Sequence, residues 1–287
     1  AFMNLRSICF FCATLIMLQG CGIFRPGTPD LPPLDKPSFL KLYADFKPEG
    51  LAITIINDLP VERYVILRST DEAWQTKFAA YNPIQLSAHS EVSLPTIALT
   101  TNADTSALKS SIRGSSFVGN PTTVNPDTQY LYTLPVPRGT NYRILQGYNG
   151  SFSHYRDYNR YAIDFAMPVG DTIYTVRDGV VGYLFEDSNI GGNHEAYLNY
   201  SNTIMILHED GTVAQYSHLQ KDGVLVELGQ RVQAGQPIGI SGETGFVSGA
   251  HLHFNLMKPT PEKLVSIPLD FEQHPGETLI KNKVVRH

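Results

Sequence analysis

The stretch GAHLHFNL, residues 249–256, places two histidines one residue apart inside a short apolar run. Side chains of a β-strand alternate between two faces, so residues two apart point the same way. In a strand, His251 and His253 would share one face, and Leu252, Phe254 and Leu256 would share the other. The apolar face suits a protein core. The two imidazoles on the opposite face are therefore candidates for a chemical role.

The composition is that of a globular protein rich in strands and turns. The chain has 287 residues, of which 42% are hydrophobic and 17% charged, and this length favours two domains. Tyrosine, phenylalanine, glycine and proline are abundant and long heptad-like stretches are absent, which favours strands over helices. The net charge of -5 gives no general attraction to nucleic acid, so we expect no nucleic-acid partner. The predicted fold class is all-β.

The first residues have the pattern of a secretory signal. Arg6 precedes an apolar run over residues 7–18, which is shorter than the roughly 20 residues of a membrane span. LQGC at residues 18–21 resembles a bacterial lipoprotein box, although a plain signal peptide is the alternative. Gly22, where that pattern can have aspartate, implies the outer membrane rather than the inner one. We expect a signal peptide over residues 1–20 and a periplasmic protein with a lipid anchor on Cys21. Because the other two cysteines lie in the signal, no disulfide is expected.

The remaining chain divides into three parts. Residues 21–37 contain five prolines and predict an extended tether. Residues 38–140 predict a small β-sandwich-like domain with one histidine, to which we assign no chemistry. Residues 141–287 predict a second β domain, with frequent glycines and most of the histidines. Strand-like runs lie at residues 51–57, 63–69, 91–99, 130–136, 179–186, 202–209, 213–219, 236–241 and 251–257.

A hydrolytic zinc site would explain the pair of histidines. Such a site has three protein ligands and one open position, where the metal lowers the pKa of a bound water to about 7. Asp164 in YAIDFAMP (161–168) shares its predicted strand face with Ala162 and Ala166, which screen it from water. A buried carboxylate needs a partner, and a metal ion would serve. Spacing alone slightly favours the alternative, in which Asp164 caps a turn or pairs with Arg160.

Four blocks together resemble the lysostaphin family of zinc metallopeptidases, which have a LytM-like domain. The blocks are YAIDFAMPVGDTIYTVRDGVVG (161–182), YSHL (216–219), GQRVQAGQPIGISGETG (229–245) and GAHLHF (249–254). They follow the family's order within residues 141–260, and the combination is far more specific than the His-x-His motif alone. The resemblance implies a barrel-sandwich β fold, in a duplicated hybrid motif, for residues 141–287.

The resemblance also implies roles and one Zn2+ ion. Asp164 matches the carboxylate ligand and His253 the last ligand. His251 matches a catalytic histidine that would act as the general base, and His218 matches a second one that would donate to the oxyanion. The shared strand face of His251 and His253 fits this division of roles, since one can bind the metal while the other reaches its water.

The first ligand departs from the family pattern. The family usually has a histidine four residues before the aspartate, and Arg160 occupies that position here. His154 is the expected first ligand if residues 155–160 form an inserted loop. The alternatives are His194 and an incomplete site. We expect His208 to pack near the site without binding metal.

Two further residues have open assignments. Asn202 and Tyr216 would either line the groove or make structural hydrogen bonds, and Tyr216, two residues before His218, is expected on the same strand face.

The resemblance implies a zinc-dependent endopeptidase acting on peptide bonds of bacterial peptidoglycan, in cross-bridges or stem peptides. The alternative is an inactive LytM-type regulator that binds and activates another wall hydrolase, such as an amidase. The nearly complete ligand set favours the enzyme, and Arg160 counts against it. The hairpin at residues 229–239 also resembles biotinyl and lipoyl carrier domains. No lysine lies between Lys221 and Lys258, which excludes that function.

Overall fold

The computed structural model describes residues 8–9, 29–34, 36, 40–99 and 105–287. The chain divides into two compact units. The first contains Lys36–Asn120 and residues 8–9, and the second contains Pro121–His287 and residues 29–34. Apart from residues 8–9, the expected signal peptide and the anchor at Cys21 lie outside the described residues. Within the described part of the chain, no helix is long and apolar enough to span a membrane.

The first unit contains short strands and two short helices around one apolar core. In the described residues these are β1 (Ile8–Cys9), β2 (Leu40–Lys47), β3 (Gly50–Asn57), β4 (Arg63–Ser69), α1 (Glu72–Ala79), β5 (Ile84–Leu86), β6 (Ser90–Ser93), α2 (Thr105–Ser111) and β7 (Ile112–Val118). The strands form two sheets, in the orders β1-β2-β3-β6 and β5-β4-β7. Buried residues of both sheets and of both helices share the core.

The helices of the first unit were not expected from the sequence. Asp71 begins α1 as its N-cap, because its side chain accepts a hydrogen bond of 3.1 Å from the Trp74 backbone N–H. Because Trp74 and Phe78 are four residues apart, they lie on one face of this helix, and both are buried in the core. The predicted β-sandwich of strands alone omits this helical contribution.

The second unit is built from strands and two 3-10 turns. The strands are β8 (Leu131–Tyr132), β9 (Asn141–Gln146), β10 (Ile163–Phe165), β11 (Thr172–Tyr174), β12 (Gly179–Phe185), β13 (Gly191–Gly192), β14 (Asn202–Leu207), β15 (Val213–Val224), β16 (Arg231–Val232), β17 (Pro237–Ser241), β18 (Gly245–Phe246), β19 (Leu252–Pro259), β20 (Leu264–Ser266), β21 (Asp270–Phe271), β22 (His274–Pro275) and β23 (Val284–Arg286). The 3-10 turns are Glu195–Tyr200 and Gly276–Thr278. The all-β prediction is confirmed.

One long sheet of this unit carries Asp164, His218 and His253, three of the candidate site residues. Its order is β16-β12-β14-β15-β19-β10-β9-β23, with β17 and β20 paired to β15 and β19, and β11 paired to β17. Neighbours along this path are antiparallel. Alternate residues of the central strands enter the core. Ile163, Phe165, Tyr216, Leu252 and Phe254 are fully buried.

The boundary between the units differs from the one expected after residue 140. The units divide after Asn120. Residues 121–140 belong to the second unit because Tyr132, Leu134 and Val136 are buried in its core. In addition, β8 pairs in parallel with β21.

The expected strand-like runs all overlap strands, but two are much shorter than predicted. In the run at residues 91–99, β6 ends at Ser93, and in the run at residues 130–136 only β8 forms. Pro95 and Pro135 interrupt these runs, because proline has no backbone N–H to offer a neighbouring strand.

Part of the expected tether packs in the second unit. Residues 29–34 contain no regular secondary structure, and the Pro32 carbonyl accepts a hydrogen bond from the Tyr200 hydroxyl.

Candidate metal centre and active site

Four adjacent strands place polar side chains in one row across the sheet. Ser217 of β15 pairs with His253 of β19, His253 pairs with Asp164 of β10, and Asp164 pairs with Gln146 of β9. Directly opposed residues of neighbouring strands have Cβ atoms about 5 Å apart, which is within reach of a shared ion or hydrogen bond. The strand register alone therefore brings the aspartate to the second histidine of the His-x-His motif.

The strand alternation predicted for residues 251–257 is present in β19. His253 faces the row of polar residues, while Leu252 and Phe254 are fully buried in the apolar core. His251 immediately precedes β19 and is 9% exposed.

His154 reaches the same place from a loop rather than from a strand. The loop closes at its base where the Asn149 N–H donates to the Arg160 carbonyl, at 2.8 Å. The His154 ring is fully buried, and its Nδ1 donates to the Gly147 carbonyl, at 2.9 Å. This hydrogen bond leaves Nε2 with a lone pair, directed at Asp164. Arg160 remains outside the cluster, where it is exposed and pairs with Asp157.

The far side of this loop is fixed to two strands. The Asn255 side chain donates to the Tyr158 carbonyl at 2.7 Å, and the Tyr161 N–H donates to the Ser266 hydroxyl at 3.0 Å. The Ser266 N–H in turn donates to the Asp157 carbonyl, at 2.9 Å. The inserted residues 155–160 therefore form an anchored loop that holds His154 inward.

His154, Asp164 and His253 together could hold a metal ion. Their candidate ligand atoms all lie within 4.8 Å of one another. Asp164 Oδ1 is 3.3 Å from His154 Nε2 and 2.9 Å from His253 Nδ1. Ligand atoms of a tetrahedral zinc ion lie about 3.3 Å apart, given bonds of about 2 Å. Among the described residues, no other group of histidine, cysteine and acidic side chains has this geometry.

One buried atom gives independent support for a cation. His154 Nε2 is inaccessible to solvent and has no hydrogen-bond partner. An unsatisfied nitrogen in the interior costs free energy unless something fills the gap. A metal ion between this lone pair and the Asp164 carboxylate would satisfy both, so these residues fit a zinc ion.

The charges in the cluster also favour a cation. Burial would raise the pKa of Asp164, but His154 and His253 together outweigh burial and hold that pKa well below its ordinary value. Burial would lower the pKa of His154, but the Asp164 carboxylate outweighs burial and raises it. Burial, together with the imidazoles of His154 and His251, lowers the pKa of His253. Asp164 is therefore ionised at neutral pH, and its negative charge favours a cation beside it.

His218 joins the cluster through an irregularity in β15. Ser217 pairs with Thr203 and Leu219 pairs with Asn202, so His218 is an extra residue between two consecutive pairs. Its φ of 71° lies in the left-handed region, which is uncommon for a residue other than glycine. Such conformations persist where the surroundings impose them and are concentrated at functional sites.

This bulge changes the expected neighbours of His218. Tyr216 was expected to share its face, but Tyr216 is buried in the apolar core, where its hydroxyl accepts a hydrogen bond from the Val176 N–H. Asn202 is also structural, since its side chain bonds to both the N–H and the carbonyl of Ser188. Both residues therefore follow the structural alternative rather than lining a groove.

His218 and His251 form a second pair beside the candidate metal ligands. Their ring centroids are 4.5 Å apart, and the His218 ring is 5.9 Å from that of His253. Each donates its Nδ1 proton to a backbone carbonyl: His218 to Thr244 at 2.7 Å and His251 to Gly249 at 2.8 Å. In the neutral state each therefore offers an Nε2 lone pair. Burial and the neighbouring His251 and His253 hold the pKa of His218 well below its ordinary value, which keeps it neutral.

The other histidines of the second unit lie apart from this cluster. His194 is exposed, and its Nδ1 accepts from the Ala196 N–H at the start of a 3-10 turn. His208 is buried, but its Nδ1 donates to the Asp178 carbonyl and its ring lies beside Tyr132. The expectation that His208 packs near the metal site therefore has no support in these contacts.

Sequence reasoning missed one residue of the site. Gln146 is buried and bonds to Asp164 and to the His154 loop. A glutamine at a strand end carries no signal of such a role in the sequence. Only its register opposite Asp164 could have identified it, and that register requires the sheet order.

Comparison with protein-family models matches residues 158–265 to peptidase family M23. Three curated relatives are similar to part of the chain. Peptidoglycan DD-endopeptidase ShyA of Vibrio cholerae serotype O1 is 40% identical over 109 residues, which cover 37% of this chain and 23% of ShyA. Glycyl-glycine endopeptidase ALE-1 of Staphylococcus capitis is 36% identical over 121 residues, covering 41% and 30%. Lipoprotein YgeR of Escherichia coli K12 is 37% identical over 94 residues, covering 33% of each chain. The chain thus spans a third or less of the length of these relatives.

Two solved structures are also similar. The catalytic domain of the M23 protein EnpA from Enterococcus faecalis is 25% identical and covers 47% of this chain and 93% of that one, with a TM-score of 0.36. The catalytic domain of lysostaphin from Staphylococcus simulans is 26% identical and covers 46% and 88%, with a TM-score of 0.30. The second unit of this chain contains a peptidase family M23 domain of the LytM and lysostaphin type.

Proposed function

We propose that the second unit is a zinc-dependent endopeptidase that cleaves peptide bonds in bacterial peptidoglycan. One observation carries this proposal: the buried ligand atoms of His154, Asp164 and His253 lie within 4.8 Å of one another, beside a second pair of histidines. The relatives ShyA and ALE-1 are named as peptidoglycan and glycyl-glycine endopeptidases, which supports the same substrate class.

His154 would hold the zinc ion through Nε2, Asp164 through Oδ1 and His253 through Nδ1. A zinc ion in such a site supplies an activated water and polarises the scissile carbonyl. The hydrogen bond from His154 Nδ1 to the Gly147 carbonyl fixes the tautomer that presents Nε2 to the metal.

His251 and His218 would handle the protons. Each ring donates from Nδ1 to a backbone carbonyl, so its Nε2 is free to accept a proton from the attacking water. We assign this step to His251, whose Nε2 lies 3.9 Å from the Asp164 carboxylate. A neutral His218 cannot donate from Nε2. The oxyanion role implied by the family resemblance therefore requires His218 to gain a proton during the reaction.

The decisive experiment measures metal content and wall hydrolysis on the same preparations. Wild type, His154→Ala and His253→Ala are compared for bound zinc and for muropeptide release from isolated cell walls. We expect one zinc per wild-type chain, and both variants to lose bound zinc and turnover. His194→Ala is the matched control, because His194 is exposed and outside the cluster. It should retain both properties.

The outcomes separate the alternatives. If His154→Ala keeps full zinc and activity, the first-ligand assignment is wrong. If the wild type binds zinc but releases no muropeptide from any wall preparation, the inactive regulator that activates an amidase is the better description.

We also propose that Cys21 is lipid-anchored and that the protein works in the periplasm, at the outer membrane. The LQGC sequence at residues 18–21 supports this location, as does the relative YgeR, which is named as a lipoprotein. Replacing Cys21 with alanine should abolish labelling by radioactive palmitate and move the protein from the membrane fraction to the soluble one. Unchanged labelling would contradict the anchor.

A further inference from the structure

The Gln146 side chain connects the two parts of the chain that supply the first two candidate ligands. Gln146 is the last residue of β9 and lies opposite Asp164 in the sheet. Its Nε2 donates to Asp164 Oδ2 at 3.1 Å and to the Ser153 hydroxyl at 2.9 Å. Its Oε1 accepts from the backbone N–H groups of Phe152 at 3.0 Å and Ser153 at 3.2 Å.

The chemistry of these partners fixes the orientation of the amide. A backbone N–H can only donate, and an ionised carboxylate can only accept. Oε1 must therefore face the loop, and Nε2 must face Asp164. With the amide reversed, both interactions would be repulsive. Glutamine at this position is saturated, with four hydrogen bonds in a buried place.

Gly150 leaves the space that this arrangement needs. A Cβ atom added at Gly150 would lie 2.1 Å from Gln146 Cγ and 2.6 Å from both Cδ and Oε1. These three atoms are its nearest neighbours, and all belong to Gln146. The Gly150 carbonyl accepts the His154 N–H at 2.9 Å. The turn at Gly150 therefore leaves space for the Gln146 side chain, and the segment that carries His154 begins at this turn.

The two carboxylate oxygens of Asp164 have different partners. Oδ2 is held by Gln146, whereas Oδ1 faces His154 Nε2 and His253 Nδ1. A carboxylate restrained in this way presents a single oxygen to the cluster. Partners that orient metal ligands commonly contribute 10–100-fold to metal affinity.

We infer that Gln146 is a positioning residue for the metal centre, which holds Asp164 to one-oxygen coordination and fixes the loop that delivers His154. This inference rests on the proposed zinc function. Gln146 is not itself a ligand, and it acts through Asp164 and the residues before His154.

The test is a double-mutant cycle between Gln146 and Gly150. The dissociation constant for zinc is measured by chelator competition for wild type, Gln146→Ala, Gly150→Ala and the double variant. Gln146→Ala should raise the dissociation constant about 10–100-fold. Gly150→Ala should raise it to a similar extent, because its methyl group displaces the glutamine. In the Gln146→Ala background, Gly150→Ala should change it by no more than about twofold.

Two further measurements separate positioning from general stability. The melting temperature of each metal-free variant shows whether it folds. The visible spectrum of the Co2+-loaded form should weaken in Gln146→Ala, because a released carboxylate can bind through both oxygens and raise the coordination number. Gln236→Ala is the control, since Gln236 is half-buried in a different hairpin of the same unit and its side chain accepts from the Gln233 N–H of that hairpin. Its zinc affinity should equal that of the wild type.

The results that would overturn the inference differ from those that would overturn the proposed function. A folded Gln146→Ala protein with wild-type zinc affinity and Co2+ spectrum would contradict the positioning role, as would additive effects in the cycle. A wild-type protein that binds no zinc would instead remove the proposed function, on which the inference depends.

Discussion

At the scale of single residues, two histidines of one motif have different surroundings. His253 Nδ1 lies 2.9 Å from Asp164 Oδ1, whereas His251 Nε2 lies 3.9 Å from the same atom. The His251 ring instead packs 4.5 Å from that of His218. Because β19 begins at Leu252, His251 lies just outside the strand and His253 within it. One strand end therefore supplies both a candidate ligand and a candidate base.

This difference predicts opposite results for two neighbouring substitutions. His251→Ala should retain one zinc per chain but lower kcat about 10²–10⁴-fold, the usual contribution of a general base. His253→Ala should lose the zinc as well. Metal analysis and initial rates of muropeptide release measure both effects. If His251→Ala also loses its zinc, His251 is a ligand and the assigned roles are wrong.

Much of the site was accessible from the residues themselves, but its backbone was not. The shared face of His251 and His253 is an inference from strand periodicity, and His154 was expected as the first ligand although Arg160 occupies the position of the family pattern. The left-handed conformation of His218 depends on a β-bulge, and no residue in this part of the sequence predicts that bulge. For the same reason the expected facing of Tyr216 was wrong. Gln146 could not be found at all, because its role depends on its pairing with a strand about twenty residues further along.

At the scale of elements, β19 stabilises the domain with one face while it serves the site with the other. Phe254 is fully buried, with its ring 5.3 Å from that of Tyr216 and 6.0 Å from that of Phe271. These contacts join β15, β19 and β21 into one apolar layer. This apolar layer fixes β19, and so keeps His253 opposite Asp164 in the sheet.

Phe254→Ala should therefore lower the free energy of unfolding by about 3–5 kcal/mol. Phe152→Ala is the control, because Phe152 is 52% exposed and its ring stacks on that of Phe246. It should cost at most about 1 kcal/mol. Chemical denaturation followed by circular dichroism measures both. Equal losses would show that the face of β19 assigned to the core contributes nothing special to stability.

Element boundaries were the least accurate part of the sequence interpretation. Strand runs such as residues 63–69 and 202–209 were found because their residues are apolar and β-branched. The short strand β8 was assigned to the wrong unit, because its partner β21 lies more than a hundred residues later in the chain. Long-range pairing of this kind leaves no local pattern.

At the scale of the whole molecule, stability should depend on His208, a buried histidine that is not part of the candidate site. Burial, reinforced by Arg177, lowers the pKa of His208 from 6.5 to about 4. Its Nε2 is buried without a hydrogen-bond partner, so a proton there would place a charge in the interior. The unfolded chain binds this proton below about pH 6.5, and the folded chain binds it only near pH 4. The contribution of neutral His208 to the free energy of unfolding is therefore fully present above pH 6.5, and it is lost as the pH drops towards 4.

The metal-free protein should lose up to about 3 kcal/mol of unfolding free energy through His208 between pH 7 and pH 4. His208→Asn keeps a donor for the Asp178 carbonyl but cannot be protonated, so its pH dependence should be flatter by that amount. His194→Asn, at an exposed position, should follow the wild type. Denaturation curves across this range measure the difference. Parallel curves for wild type and His208→Asn would contradict the role of His208.

The most direct test of the account is anomalous X-ray diffraction, at the zinc edge, from crystals of the metal-loaded protein. We predict one anomalous peak per chain, bonded to His154 Nε2, Asp164 Oδ1 and His253 Nδ1, with His251 and His218 beside its open side. A peak that excludes His154, or a peak at any other place in the chain, would contradict the account.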